Sequence, residues 1–429
     1  MEQMRRWKPR TGTYVLLLIC LLYLLQYSDR VNISTAASAI SHDLHLSNTQ
    51  LGFAFSAFAY PYAIVQLFGG WLADRFGPRR VLTLFGLIVA LASMLTAFAN
   101  GLVMLAAFRF LLGLGEAPSL ATATSAMSRW LPAGRRGFAQ GVTHACSRLG
   151  NALTPPLVAL LISLWSWRAA FVFAGLAGIV WVAVWHGYFR DEPSGHRGVS
   201  PEELASLPER ADEHRPQIPV RKLLRRILPL TIVDFCYAWT LWVYLTWLPS
   251  FFLHSYHLKL SDSALYTAGV FVAGIFGDTL GGVLSDRIYQ RTGDLQKARR
   301  NVIVTGLAGS LVFLAPVLLV KDLTIVSASL CLAFFSMELV IAPLWAVPMD
   351  IAPRYAGTAS SFMNIGFGLA GILSPLTFGY VLDLTGDWHL PFAFSIALLV
   401  VGIVVSFWMR PDRAFSDSEV IVTERAAAP

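Results

Sequence analysis

Apolar runs long enough to cross a bilayer follow one another along almost the whole chain, separated by short polar turns. A spanning helix needs about 20 apolar residues. Such runs are predicted at 13–39, 48–74, 81–99, 101–127, 137–163, 167–189, 228–253, 262–288, 300–320, 322–349, 355–384 and 388–410. The only long polar stretch, residues 190–227, mixes both charge signs with Pro193, Pro201, Pro208, Pro216 and Pro219. It reads as a linker with one amphipathic turn near Ser200-Pro201-Glu202-Glu203. The pattern therefore predicts an all-α membrane protein of 12 transmembrane helices. An N-terminal six-helix half (1–189) is joined by the linker (190–227) to a C-terminal half (228–410) and a tail (411–429).

Composition agrees. The 429 residues are 55% hydrophobic and only 14% charged, too few charges to coat a soluble globule. A net charge of +7 would point to nucleic acid in a soluble protein, but here the cations sit in short loops on one side. These are Arg5, Arg6, Lys8 and Arg10; Arg75, Arg79 and Arg80; Arg129, Arg135 and Arg136; then Arg287, Arg291, Lys297, Arg299, Arg300, Arg354, Arg410 and Arg413. Loops of the other side hold Arg168, Lys259 and Lys321. The positive-inside rule puts both termini in the cytoplasm, and no nucleic-acid partner is expected. Cys20, Cys146, Cys236 and Cys331 lie inside apolar runs without CxxC spacing and read as small core residues. Ala36-Ala37-Ser38-Ala39 mimics a signal cleavage site, yet the preceding run is too long and contains Asp29-Arg30. It is read as an uncleaved first helix.

The two halves repeat. Gly70-Trp71-Leu72-Ala73-Asp74-Arg75 with Arg79 is matched by Gly282-Val283-Leu284-Ser285-Asp286-Arg287 with Arg291, a G-x-x-x-D-R-x-x-x-R pattern. Trp167-Arg168-Ala169-Ala170-Phe171-Val172-Phe173 is matched by Trp388-His389-Leu390-Pro391-Phe392-Ala393-Phe394, and Pro155 by Pro375. With these motifs the chain resembles the major facilitator superfamily, whose two six-helix halves enclose a site near mid-membrane. A finer resemblance is to its anion:cation symporter family. It rests on Tyr27-Ser28-Asp29-Arg30-Val31-Asn32-Ile33-Ser34, Phe55-Ser56-Ala57-Phe58-Ala59-Tyr60-Pro61-Tyr62 and Arg109-Phe110-Leu111-Leu112-Gly113-Leu114-Gly115-Glu116-Ala117-Pro118. Leu245-Thr246-Trp247-Leu248-Pro249, Asp350-Ile351-Ala352-Pro353 and Ala356-Gly357-Thr358-Ala359-Ser360 extend it over nearly the whole chain. The resemblance implies secondary transport of a small organic anion and leaves the anion open. It also implies that Asp74, Arg75, Asp286 and Arg287 gate one face.

Charges at the centre of a spanning helix cost ~2.5–3.5 kcal/mol or more, so each needs a reason. Asp29 and Arg30 lie deep in the first run. Arg109 and Glu116, seven residues apart, share one helical face roughly 10 Å apart along the axis. Arg148 lies mid-helix, near His144 and Asn151. The group reads either as a self-neutralising structural network or as a working site. In the working reading, Arg30, whose family counterpart contacts substrate, clamps a carboxylate with its planar fork. Asp29 and Glu116 carry protons and Arg109 is the shared counter-ion. Tyr27, Tyr62, Gln66, Tyr244, Ser360, Ser361 and Asn364 are candidates for orienting a polyhydroxylated anion, or are interhelical hydrogen bonds. Two roles are open to Arg148: binding a second carboxylate, or pairing with Glu338 across the halves. Asp234 and Asp278 read as solvated or gate-related, and Trp239, Trp242 and Trp247 as packing or an interfacial belt in preference to a sugar-stacking platform.

Other classes fit less well. Gly150-Asn151-Ala152-Leu153-Thr154-Pro155-Pro156 lacks the glycines of drug exporters, and 227–286 lacks the arginine of phosphate exchangers. No HExxH, GxSxG, P-loop or metal-spacing cluster occurs, which argues against an enzyme. An anion exchanger or exporter and a transporter-like sensor remain as alternatives. No cofactor is expected. The energy source is an ion gradient, protons first and sodium second. The partners are then a small organic anion, protons and membrane lipid, for a monomer in a cell inner membrane.

Overall fold

The computed structural model describes residues 11–132, 136–205, 207, 220–352 and 356–413. Arg5, Arg6, Lys8, Arg10, Arg135, Arg354, Pro208, Pro216, Pro219 and the tail beyond Arg413 lie outside them. The described residues are helical, with short turns between. Spanning helices are α1 (Thr11–Thr35), α2 (Asn48–Phe76), α3 (Pro78–Thr96), α4 (Leu102–Trp130), α5 (Ala139–Leu164) and α6 (Trp167–Tyr188). The second half holds α7 (Val220–Ser255), α8 (Leu260–Thr292), α9 (Gln296–Leu319), α10 (Leu323–Ile351), α11 (Gly357–Thr385) and the shorter α12 (Phe392–Ser406).

Three boundaries depart from expectation. α1 stops at Thr35, and Ala37–Leu44 forms a separate short helix ended by His45 in the left-handed region (φ 51°). α7 starts at Val220, ahead of residue 228, because Val220–Ile227 continues the helical register into the polar stretch. α12 covers 15 residues where 388–410 was expected, since Pro391 can only begin the helix.

Prolines also break helices where it matters. Pro61 has no N–H for the Ala57 carbonyl, and α2 is interrupted at Phe58. Pro118 leaves the Leu114 carbonyl unmatched, and the first segment of α4 ends at Glu116. Pro343 does the same to Leu339, and the first segment of α10 ends at Glu338. The fourth helix of each half thus breaks directly after a buried glutamate.

Polar side chains fasten the ends. Ser47 and Gln50 close a capping box at the start of α2. Glu203 of the polar stretch accepts from the N–H groups of Thr11 (3.2 Å) and Gly12 (2.9 Å), satisfying the first orphan donors of α1. This ties residues 201–205 to the first half.

The halves meet along α2 and α11, on the side away from the basic loops. Asp383 of α11 accepts from the backbone N–H and side chains of Asn48 and Thr49, at 2.6–3.1 Å. A Cβ on Gly52 would lie 2.4 Å from the Pro375 carbonyl oxygen, so only glycine permits this approach. Deeper in, Ser56 donates to the Ile372 carbonyl (2.7 Å). Of the two readings of the α7 tryptophans, packing is the one the structure has. Trp239, Trp242 and Trp247 are all buried between α7 and its neighbours, with Trp242 and Trp247 donating to carbonyls of Phe367 and Pro375. Aromatic area buried in protein, with the N–H groups of Trp242 and Trp247 satisfied, wins over the interface.

Asp383→Ala removes the acceptor for four donors at the end of α2. With the natural cysteines replaced, a Ser56→Cys probe should then react about tenfold faster with a membrane-impermeant thiol reagent, the scale of one lost charge-assisted bond. Unchanged labelling would show that the bonds do not hold this side shut.

Candidate functional site

At mid-membrane, the break in α2 turns Phe58 and Tyr62 toward α1 and α4. Arg30 of α1 donates through Nε to Glu116 Oε2 of α4 at 2.8 Å, with both side chains sealed from solvent. The Arg30 guanidinium also lies 4.6, 5.0 and 5.4 Å from the ring centres of Tyr27, Tyr62 and Phe58. Arg109 rests on the same Phe58 ring at 5.1 Å. Its Nε and Nη1, with Arg30 Nη2 and Glu116 Oε1, have no hydrogen-bond partner among the described residues. Buried charged groups with unused donors and acceptors are costly, and such sites persist where a ligand or water completes them. Asp29, near Glu116 and Arg109, accepts from Ser93 Oγ of α3 at 2.8 Å.

A second charged cluster joins the halves. Arg148 Nη2 of α5 approaches Glu338 Oε2 of α10 at 2.8 Å, and its Nε lies 3.7 Å from Asp278 of α8. The contact with Glu338 is not lined up as a hydrogen bond: Arg148 Nε and Nη1 and Glu338 Oε2 all remain without one. Tyr237 donates weakly to Glu338 Oε1 (3.5 Å). Arg148 also stands over the Tyr27 ring at 6.0 Å. Tyr27 therefore links the two clusters.

Several expected roles are revised. Glu116 is bonded to Arg30, not to Arg109 as the shared counter-ion, because the break after Glu116 swings its carboxylate across to α1. Gln66 and Asn364 bond to each other across the halves, at 2.5 Å from Asn364 Nδ2 to Gln66 Oε1, and so close the α2–α11 seam. Tyr244 is buried away from the arginines, against Phe334, with its hydroxyl 3.5 Å from the Leu330 carbonyl. Ser360 is half-buried one turn before Asn364 and makes no hydrogen bond to either cluster among the described residues. Asp234 is not solvated: it is buried and accepts from the Phe367 N–H at 2.9 Å. Asp278 faces Arg148. His144 packs edge-on against Tyr23. Sequence reasoning missed Phe58 as the ring shared by two guanidiniums, although Pro61 three residues on signals the break that aims it.

At the basic end, Asp74 and Arg75 are exposed and line a niche of about 400 Å³ with Arg79, Arg80, Arg129 and Asp191. Asp191 accepts from the Arg79 N–H at 2.9 Å. In the second half Asp286 accepts from Arg299 (3.2 Å), which also donates to Asp350 (2.9 Å), while Arg287 is exposed. The cation holding Asp286 thus comes from beyond the repeated motif. On the opposite side Asp43, outside the spanning helices, is bonded by Arg168 and Trp167, which hold its carboxyl below the usual range.

A family model described as Major Facilitator Superfamily matches residues 19–375 and again 297–429. Among individual proteins, the chain is similar to the probable sulfoacetate transporter of Cupriavidus necator, 47% identical and covering 94% of each chain. It is 30% identical to the hexuronate transporter of Bacillus subtilis, over 92% of this chain and 94% of that one. It is 28% identical to the probable galactarate/D-glucarate transporter of Escherichia coli, over 91% and 90%. A solved structure of a bacterial homologue of the human lysosomal transporter Spinster, inward-facing and unoccupied, superposes with a TM-score of 0.78. At 19% identity over 94% of this chain and 97% of that one, this likeness concerns the fold.

Glu116→Ala should strand the buried Arg30 charge and destabilise the protein by about 3–5 kcal/mol, whereas Glu116→Gln keeps an acceptor and costs less. Thermal unfolding in detergent reads the difference. Equal melting of wild type and Glu116→Ala would show that the pair is not closed in the folded protein.

Proposed function

This chain belongs to the Major Facilitator Superfamily, and from that premise we propose that it is a proton-coupled symporter of small organic anions working by alternating access. The observation that carries the reading is the sealed Arg30–Glu116 pair with unused guanidinium N–H groups beside it. An arginine fork suits a carboxylate or sulfonate, and the names of the similar transporters are those of such anions. Sulfoacetate, named for the relative at 47% identity, is the first substrate to try.

In this scheme Glu116 occupies Arg30 when the site is empty. A proton taken up by Glu116 removes the competing charge, and the anion takes its place on Arg30. Arg109, on the other face of Phe58, completes the positive surface, and Asp29 is the second proton carrier. Release on the basic side restores the Arg30–Glu116 pair, which a buried charge favours over standing alone. Tyr27 and Tyr62 form the walls. Asp74, Arg75, Asp286 and Arg287 act at the basic face when it closes. In this reading that face is cytoplasmic, which its excess of arginines supports, and the protein works as a monomer in a cell inner membrane. No ATP or cofactor enters this scheme, in which the proton gradient supplies the energy.

In proteoliposomes, a proton gradient should drive accumulation of labelled sulfoacetate, and Asp29→Asn and Glu116→Gln should each reduce it to background. Counterflow, which needs no net proton movement, should survive in both. Wild-type accumulation by both variants would end the symport reading.

A further inference from the structure

We propose that Arg148, Glu338 and Tyr27 form a second anion subsite, which binds the distal negative group of a dianionic substrate when Glu338 is protonated. The inference rests on the organic-anion reading above and adds what selects the number of charges.

Glu338 is the counterpart of Glu116 in the other half. Each is the last residue of its helical segment in the fourth helix of its half, followed by a proline break. Each is sealed from solvent and lies 2.8 Å from a buried arginine on another helix. The internal repeat has therefore placed one carboxylate at the same point of each half, and each meets a guanidinium of the first half. The single ring of Tyr27 connects them, with guanidinium carbons at 4.6 Å (Arg30) and 6.0 Å (Arg148) from its centre. One molecule a few carbons long can reach both.

The Arg148 pair is the less complete of the two. Arg30 makes an aligned hydrogen bond to Glu116, while Arg148 touches Glu338 without one and keeps Nε and Nη1 unused at 96% burial of its side chain. Because a buried guanidinium in low-dielectric surroundings requires partners for its fork, a ligand oxyanion would be bound more fully than Glu338 is. The groups facing Glu338 are Arg148 from α5, Tyr237 from α7 and Asp278 from α8; beyond them, His144 of α5 is near Arg148 and Asp278, and Tyr27 of α1 is near Arg148. The backbone fits the same assignment. A Cβ on Gly277 of α8 would lie 2.2 Å from the Phe335 carbonyl oxygen and 3.0 Å from Glu338 Cβ, so α8 is pressed onto α10 at Glu338.

Charge balance supplies the coupling. Arg30, Arg109 and Arg148 face Asp29, Glu116, Asp278 and Glu338. A dianion cannot join these carboxylates in a buried site unless protons neutralise some of them. The proton on Glu338 comes from the solvent of the open face, breaks its ion pair with Arg148, and leaves when the anion does.

The test uses labelled sulfoacetate, a dianion, and isethionate, a monoanionic sulfonate of similar length, in counterflow and competition with the full-length protein. In Arg148→Gln the half-saturating concentration for sulfoacetate should rise about tenfold or more, as for one lost charge-assisted bond, while that for isethionate moves less than about twofold. The Arg148→Gln/Glu338→Gln double variant, which removes the Glu338 charge together with that of its partner, should show the same charge-selective loss. Glu338→Gln should keep sulfoacetate counterflow but flatten its pH dependence and lower the protons moved per sulfoacetate. Equal losses for both anions, or a wild-type pH profile in Glu338→Gln, would overturn the inference. Wild type that exchanges isethionate but not sulfoacetate would overturn it too, leaving the organic-anion reading intact. Exchange of neither anion nor any sugar acid would defeat that reading instead.

Discussion

A guanidinium and a carboxylate 2.8 Å apart, sealed inside a bundle whose outer surface is hydrocarbon, constrain the rest of this molecule. Neither charge can reach water without the helices moving, and neither can be left alone at that depth. The pair therefore holds α1 against α4 for as long as nothing else satisfies Arg30. In the proposed symport, a proton on Glu116 and an anion on Arg30 are the two events that change that balance, each acting with the other. Coupling of this kind needs no long-range pathway, because both events compete for one contact.

The backbone serves this contact through its interruptions. A continuous helix directs residues at fixed 3.6-residue intervals, and its carbonyls are occupied. Pro61 and Pro118 release two turns, at Phe58 and after Glu116, and those are the places where ring and carboxylate lean into the bundle. Pro343 does the same after Glu338. Irregular backbone is tolerable at membrane depth where protein or a water-lined cavity covers it. On the side away from the arginine-rich loops, Asp383 and Gly52 bring α2 and α11 into backbone contact. The same two helices remain joined as deep as Gln66 and Asn364.

Much of this was legible beforehand. Twelve apolar runs, one polar stretch and a repeated G-x-x-x-D-R-x-x-x-R motif specify the class, the halves and their order, because lipid admits so few alternatives for the backbone. Asp29, Arg30, Arg109, Glu116 and Arg148 stood out by the cost of their charges alone. The residues that the sequence left between two readings are neutral or amphipathic ones: Trp242 and Trp247 suit a membrane interface and a core equally, and Gln66 suits a ligand and a seam equally.

Residue type and periodicity determined by themselves that the chain spans a membrane, that it folds as two related halves, and that a handful of buried charges must be held together. Which charge meets which was decided only in three dimensions. Glu116 chose Arg30 over Arg109, and Arg148 crossed to Glu338, because pairing depends on helix rotation and on where prolines release a turn. Those quantities are properties of packed neighbours, and a one-dimensional pattern of apolar and polar positions does not contain them.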